Sequence, residues 1–309
     1  MPLLKVEADK LSNNTLVGGV IDEIIERDDL FAVLPFVRVN SKAYVYNRED
    51  EGAGNNITSG AGMPTFLNPN DTVVEGATSF VEVVAKLRIL AGDVDVDKFL
   101  QETESDSNDQ LAVQIAKKAK AVGRLYHKTL AQGDEVADTK SFNGISKLVA
   151  ASQTLLAGTN GAALTLSMLD QLIDQVPNGA DVIMMRRGTV RAFRSLLRAA
   201  GGNTAVDYMN EDFGRPMLHH NGVPVIVNDF LPGNETAGAG TNLCSIYAMR
   251  LNEADGLHGL YGGDSAGLRV EDIGTVQNKD AQRIRVKWYC GLALKSTKSL
   301  ARLSGITNA

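Results

Sequence analysis

Apolar positions along the chain change period several times, and each change marks an element. Val17, Val20, Ile21, Ile24 and Ile25 recur at helical spacing, with Asp22, Glu23, Glu26, Asp28 and Asp29 on the other side. This predicts an amphipathic helical arm, ended by Pro35. A lone helix of that size is marginal in water, so it has to pack on something. FVRVNSKAYVYNRE (36–49) is strand-like in its β-branched and aromatic content. In SFVEVVAKLRIL (79–90), Val81, Val83, Ala85, Leu87 and Ile89 alternate with Phe80, Glu82, Val84, Lys86 and Arg88, the pattern of a half-buried strand. Roughly thirty Gly-, Asn- and Pro-rich residues separate the two strands, several times an ordinary hairpin loop. The pair predicts a protruding β-arm that a neighbouring molecule has to cover.

The clearest helix lies in SNDQLAVQIAKKAKAVGRLYHKTLAQGD, where Leu111, Ile115, Ala119, Val122 and Tyr126 form a stripe of helical period. Ser107 with Gln110 three residues on predicts a capping box, and Gly133 a stop. The helix from Asp109 to Ala131 should be a rod of about 35 Å. Acids precede it and Lys117, Lys118, Lys120, Arg124 and Lys128 fill its later turns, as the macrodipole favours. His127 is expected on its polar flank. Further on, Leu169, Leu172, Ile173 and Val176 mark a helix stopped by Pro177, ADVIMM (180–185) a buried strand, and TVRAFRSLLRAAGG (189–202) another helix. LHHNGVPVIVNDF (218–230), SIYAMRL, LRVEDI and RIRVKWYCGLAL are strands, the last with Ile284, Val286 and Trp288 on one face. The fold class is α+β, with a mixed sheet around 150–250 and long strands elsewhere. There is no internal repeat.

Composition narrows the function. At 309 residues the chain can bury a sizeable core, and its net charge of −6 argues against a dedicated DNA-binding protein. No apolar run is long enough to span a membrane, and no secretory signal opens the sequence. Cys244 and Cys290 form no CxxC pair and read as small apolar fillers. Gly263-Asp264-Ser265-Ala266-Gly267 matches the G-x-S-x-G nucleophile elbow, but a strand-like run follows where the elbow needs a helix. All four histidines, His127, His219, His220 and His258, precede Ser265, which rules out the Ser…Asp…His order of hydrolases using that elbow. A triad of His219 or His220 with Asp229 and Ser265 stays open by order alone. As metal ligands, adjacent His219 and His220 on a strand would point to opposite faces. No P-loop or placed GxGxxG supports nucleotide binding, and no cofactor is expected. Arg187, Arg191, Arg194 and Arg198 share a helical face that suits solvent or salt bridges better than phosphate.

The order of these elements is an acidic amphipathic arm, a long two-stranded loop, a spine-like helix, an α/β segment and long terminal strands. It resembles the major capsid proteins of tailed bacteriophages, the Hong Kong 97-like fold. AYVYNRE at the loop's root, KLRILAGDVDVDKFL before the helix, and HKTLAQGD with SFNGISKL after it look like that family. So do FGRPMLHHNGVPVIVNDFLP and LRVEDIGTVQNKDAQRIRVKWYCGLAL. In this light LHHNGVPVIVNDF is a turn and a strand, with Asn221-Gly222 as turn signal.

The resemblance implies a shell protein and no enzyme. Its expected parts are an N-terminal arm (1–37), an extended loop (38–92), a peripheral domain (93–144 and 256–309) and an axial domain (145–255). Subunits would assemble through hexamers and pentamers into an icosahedral capsid enclosing double-stranded DNA without sequence-specific binding. Expected inter-subunit contacts are Val17, Ile21, Ile24, Tyr44, Tyr46, Met63, Phe66, Arg187 and Arg191. The implied partners are a portal, a separate scaffolding protein (residues 1–40 leave no room for a built-in one) and a decoration or cement protein. No membrane is involved, and assembly would take place in the bacterial host cytoplasm. Lysine–asparagine crosslinks of some such capsids are not expected, because Lys42 and Lys86 flank the loop and no lysine lies between them. The competing readings are an encapsulin-like compartment and a serine hydrolase on Ser265.

Overall fold

The structure, a computed structural model, describes residues 28–49, 66–73, 80–104, 109–199, 207–209, 216–264 and 267–307. The arm positions Val17, Ile21 and Ile24, the loop position Met63, the cap candidate Ser107 and the elbow serine Ser265 lie outside these residues.

Two sheets organise the chain. In the first, Ala281–Leu294 is the central strand. One of its edges pairs with Leu257–Gly262, itself parallel to Phe36–Val39, and with Arg269–Thr275; the other pairs with Arg88–Asp97 over ten residues. Strand alternation sorts this sheet's chemistry. Leu90, Gly92, Val94 and Val96 share a face with Ile284, Val286 and Trp288, and the helix Gln110–Gln132 lies on that face. Gly92 lies beneath the helix, where a Cβ would sit 2.5 Å from Lys118 Cε and 3.4 Å from Val122 Cγ2, so a larger residue there would make the Lys118 side chain move aside. On the opposite face Asp95 receives both arms of Arg283 (2.6 and 2.7 Å), Asp93 both arms of Arg285 (2.7 and 2.8 Å), and Glu271 the amine of Lys287 (2.6 Å).

The predicted rod is present, with a different cap. Asp109 is the N-cap, its carboxylate accepting from the backbone N–H of Leu111 (3.0 Å) and Ala112 (3.2 Å), which satisfies donors the first turn cannot. Val122 and Tyr126 are buried as the stripe requires, whereas Leu111, Ile115 and Ala119 are half-buried. Tyr126 packs on Trp288 with ring centroids 4.3 Å apart.

The second sheet has eight strands. Val182–Met185, every residue buried, lies between Gly240–Met249 and Val223–Val227. The crossover from Val182–Met185 to its parallel neighbour includes the helix Arg187–Ala199. Asn221 (φ 49°) and Gly222 (φ 81°) make the tight turn expected between Pro216–His220 and Val223–Val227. The final strand Leu300–Thr307 enters this sheet between Thr154–Leu156 and Gly240–Met249. The segment 256–309, expected as one part of the peripheral domain, is therefore divided between the two sheets. One apolar core links the sheets: Tyr126, Leu130, Trp288 and Leu292 cluster with Met184, Tyr247 and Met249.

Candidate functional site

The hairpin of Ala43–Glu49 with Phe80–Lys86 forms a two-stranded sheet of its own with many exposed residues. Leu87 breaks the predicted 79–90 strand, its N–H bonding to Lys42 O (3.1 Å), so that the hairpin departs from the body there. Alternation gives the hairpin two faces. Tyr44 and Tyr46 turn toward the chain's own body: the Tyr46 hydroxyl donates to Leu294 O (2.6 Å), and Tyr44 meets His258 edge-on at 5.7 Å. Arg48 donates from Nε to Lys295 O (2.5 Å) and from Nη2 to Leu294 O. Expected as contacts between subunits, Tyr44 and Tyr46 have their rings committed within their own chain. The outward face carries the directly opposed pair Val45 and Val84, with Phe80 beyond them, all exposed. Phe66, farther along the loop, is fully exposed. Val81 adds exposed apolar surface on the inner face. A two-stranded ribbon with apolar side chains in water is not independently stable.

The chain's first described residues are tied down at a second place. Asp28, its side chain 2% exposed, accepts from Asn228 Nδ2 (2.9 Å) and from Leu30 N–H (3.1 Å) and bonds His127 Nδ1 (2.6 Å). Asp29 donates its N–H to Val227 O (3.1 Å). His127, expected on the polar flank, is instead half-buried between this carboxylate and the stacked ring of Phe230. Sequence reasoning missed Asp28, Asn228 and Arg48 as fixing points. Two adjacent acids ahead of an apolar Leu-Phe pair were the only local signal.

The enzymatic candidates do not converge. His220 Nε2 bonds Asp170 Oδ1 (2.8 Å) and its ring lies edge-on to Phe193, while His219 sits at the adjacent, opposite-facing position of the strand. Asp229 pairs with Arg187 (2.7 Å). Arg187, expected between subunits, thus has a partner in its own chain, and Arg191 is exposed on the same helix. Among the described residues no group of three or more His, Cys, Asp or Glu side chains gathers as a metal site. The described elements on either side of Ser265 are the strands Leu257–Gly262 and Arg269–Thr275, not the strand-then-helix of a nucleophile elbow. Cys244 and Cys290 are buried, and burial pushes the Cys290 thiol up to about 12, as for an inert filler. No described helix is long and apolar enough to cross a membrane.

Comparison with known proteins gives a consistent answer. The family model of the SU10 major capsid protein matches residues 70–307. Among solved structures, the SrpI encapsulin of Synechococcus elongatus is 22% identical, with a TM-score of 0.70 over 99% of this chain and 96% of that one. The capsid of a native GTA particle is 15% identical, with a TM-score of 0.68 over 95% of each chain. The capsid of cyanophage A-1(L) is 13% identical, with a TM-score of 0.66 over 99% of this chain and all of that one. At these identities the structural likenesses establish the fold. No curated protein matches. The family match covers well over half of the sequence, and the two sheets, spine helix and projecting hairpin are those of the Hong Kong 97-like fold: the chain belongs to the SU10 major capsid protein family and is a self-associating major capsid protein of the tailed-bacteriophage type, a component of the virion shell.

Proposed function

We propose that the subunits assemble through hexamers and pentamers into an icosahedral shell around double-stranded DNA, held without sequence-specific contacts. The observation that carries this reading is the hairpin of Ala43–Glu49 and Phe80–Lys86, which leaves Val45, Val84 and Phe80 exposed. A neighbouring subunit that covered this face would remove the apolar surface from water, and a closed shell repeats each modest contact many times.

The parts then have distinct roles. The N-terminal arm (1–37) is pinned at Asp28, and its earlier residues, with Val17, Ile21 and Ile24, meet neighbouring subunits. The extended loop (38–92) reaches outward, with Met63 and Phe66 as contacts. The peripheral domain comprises 93–144 and 256–299. The axial domain (145–255, with strand 300–307 added) meets its copies around the hexamer and pentamer axes, with Arg191 near that contact. A portal and a separate scaffolding protein direct assembly in the bacterial cytoplasm, and a decoration or cement protein is a further partner.

Val84→Asp tests the carrying observation. The variant should keep the wild-type melting temperature yet fail to form particles larger than a capsomer; normal shells from it would remove the hairpin from the interface. The fold is shared with an encapsulin, and cargo separates the two readings. Particles from the producing cells should hold nuclease-protected DNA; a protein cargo without DNA would favour the cellular compartment.

A further inference from the structure

The sequence holds four Asn-Gly dipeptides, at Asn143, Asn160, Asn178 and Asn221. Asparagine is chemically labile, and most so before glycine, whose backbone nitrogen reaches the asparagine Cγ with no side chain in the way. By sequence the four are equivalent. The fold separates them by what holds the attacking group, the glycine N–H.

Gly144 N–H donates to Gly133 O (2.9 Å), Gly161 N–H to Gly158 O (3.1 Å) and Gly179 N–H to Val176 O (2.9 Å). Gly222 N–H has no acceptor among the described residues. The turn explains this. Asn221 and Gly222 are its two central residues, and the strand ladder closes on the flanking pair His220 and Val223. Surroundings sort the sites further. A Cβ on Gly144 would meet Thr129 O at 2.4 Å, and one on Gly161 would meet Leu243 Cδ2 at 2.7 Å, so both are hemmed in. Gly179 and Gly222 have nothing within 4 Å of that position.

Asn178 and Asn221 are therefore the closest comparison. Both are exposed, and both glycines take a positive φ (87° and 81°). Both carboxamides donate to a carboxylate, Asn178 Nδ2 to Asp255 (2.9 Å) and Asn221 Nδ2 to Asp170 (2.7 Å). They differ in the glycine N–H, which is bonded at Gly179 and without an acceptor at Gly222.

We infer that Asn221 is a site of spontaneous deamidation in the folded subunit, the one Asn-Gly of the four that the fold leaves reactive. The Gly222 nitrogen loses its proton to water or hydroxide and bonds to Asn221 Cγ. The Cγ–Nδ2 bond breaks, and the side-chain nitrogen departs as ammonia with a proton from solvent. One water then opens the cyclic imide, at Cγ to give aspartate or at the backbone carbonyl to give isoaspartate. The sum is one water consumed and one ammonia released, with nothing oxidised or reduced.

Either product disturbs the turn. Asp170 Oδ1 bonds both Asn221 Nδ2 and His220 Nε2 (2.8 Å), and a carboxylate at 221 replaces a donor there with a second negative charge. Isoaspartate also routes the main chain through Cβ. That lengthens a two-residue turn whose strands are in fixed register, His219 opposite Pro224 and His220 opposite Val223.

The test keeps unassembled subunits of the full chain in mildly alkaline buffer and follows each Asn-Gly peptide by mass spectrometry. Digestion is done in acid, and fragmentation distinguishes isoaspartate from aspartate. A hydrogen bond that must open before attack slows the other three, so position 221 should convert at least about fivefold faster than 143, 160 or 178. In guanidinium chloride, where the fold no longer sorts them, all four should convert at similar rates. Faster conversion at 143, 160 or 178 than at 221, or no preference in the folded chain, overturns the inference. For the consequence, Asn221→Asp should melt below the wild type, and in an Asp170→Asn background the same substitution should leave the melting temperature unchanged. An equal fall in both backgrounds would overturn the charge conflict at Asp170.

Discussion

Asp28 shows how one side chain fixes a route for the chain. Its carboxylate joins the start of the described chain to the spine helix through His127 and to the end of a strand of the eight-stranded sheet through Asn228. Asp28→Ala leaves the buried amide of Asn228 and the half-buried ring of His127 without their acceptor, which costs about 1–3 kcal/mol. The midpoint of urea unfolding should fall accordingly, and an unchanged midpoint would show that the anchor contributes no net stability. In the sequence Asp28 is one of five acids on the polar side of an amphipathic arm. Its partners lie 99 and 200 residues away, and no local pattern announces such a pairing. His127 was misplaced for the same reason: a helical wheel identifies the side facing solvent in an isolated helix, not the segment that comes to lie on it.

Among elements, those with a strong period of their own were legible. The spine helix, the buried strand Val182–Met185 and the turn at Asn221-Gly222 follow from spacing, β-branched content and turn chemistry. Pairing between distant strands was not. DVDVD (93–97) and RIRVK (283–287) each alternate charge with apolar residues, and their charges match once the strands lie side by side, but that register spans nearly two hundred residues. The Arg283 and Arg285 guanidiniums, by hydrogen bonding, hold the Asp95 and Asp93 carboxyls below their ordinary range. A carboxylate whose folded pKa lies below its unfolded value of about 3.9 adds stability that is complete above that pH and is lost as pH falls through the folded value. The effect is modest because the pairs are partly exposed. Urea midpoints measured from about pH 5 down to 3 should decline less in Asp93→Asn/Asp95→Asn than in the wild type. Identical declines would place the acid-sensitive groups elsewhere. The hairpin was also legible as an arm, but which face it keeps for itself was not. Tyr44 and Tyr46 share the face that meets Leu294 and His258 of their own chain, a pairing no local pattern names.

At the scale of the whole molecule, the two sheets share one core through Tyr126, Trp288 and Met184, so the described subunit is built as a continuous body with an exposed apolar ribbon attached. The return of Leu300–Thr307 into the eight-stranded sheet strengthens that union and was hidden in the sequence by ordinary strand alternation, which does not name a partner. No lysine lies between Lys42 and Lys86, and Lys86 is bound to Glu135 at 2.6 Å. Mature shells boiled in detergent should therefore run as a monomer band, and a ladder of linked subunits would contradict the absence of loop crosslinks. The central claim, that this chain builds a shell with copies of itself, is tested most directly by electron microscopy of the purified protein at high concentration, alone and with a candidate scaffolding protein. Closed particles, or hexamers and tubes of them, are the predicted result. A uniform population of compact monomers under every condition would contradict it.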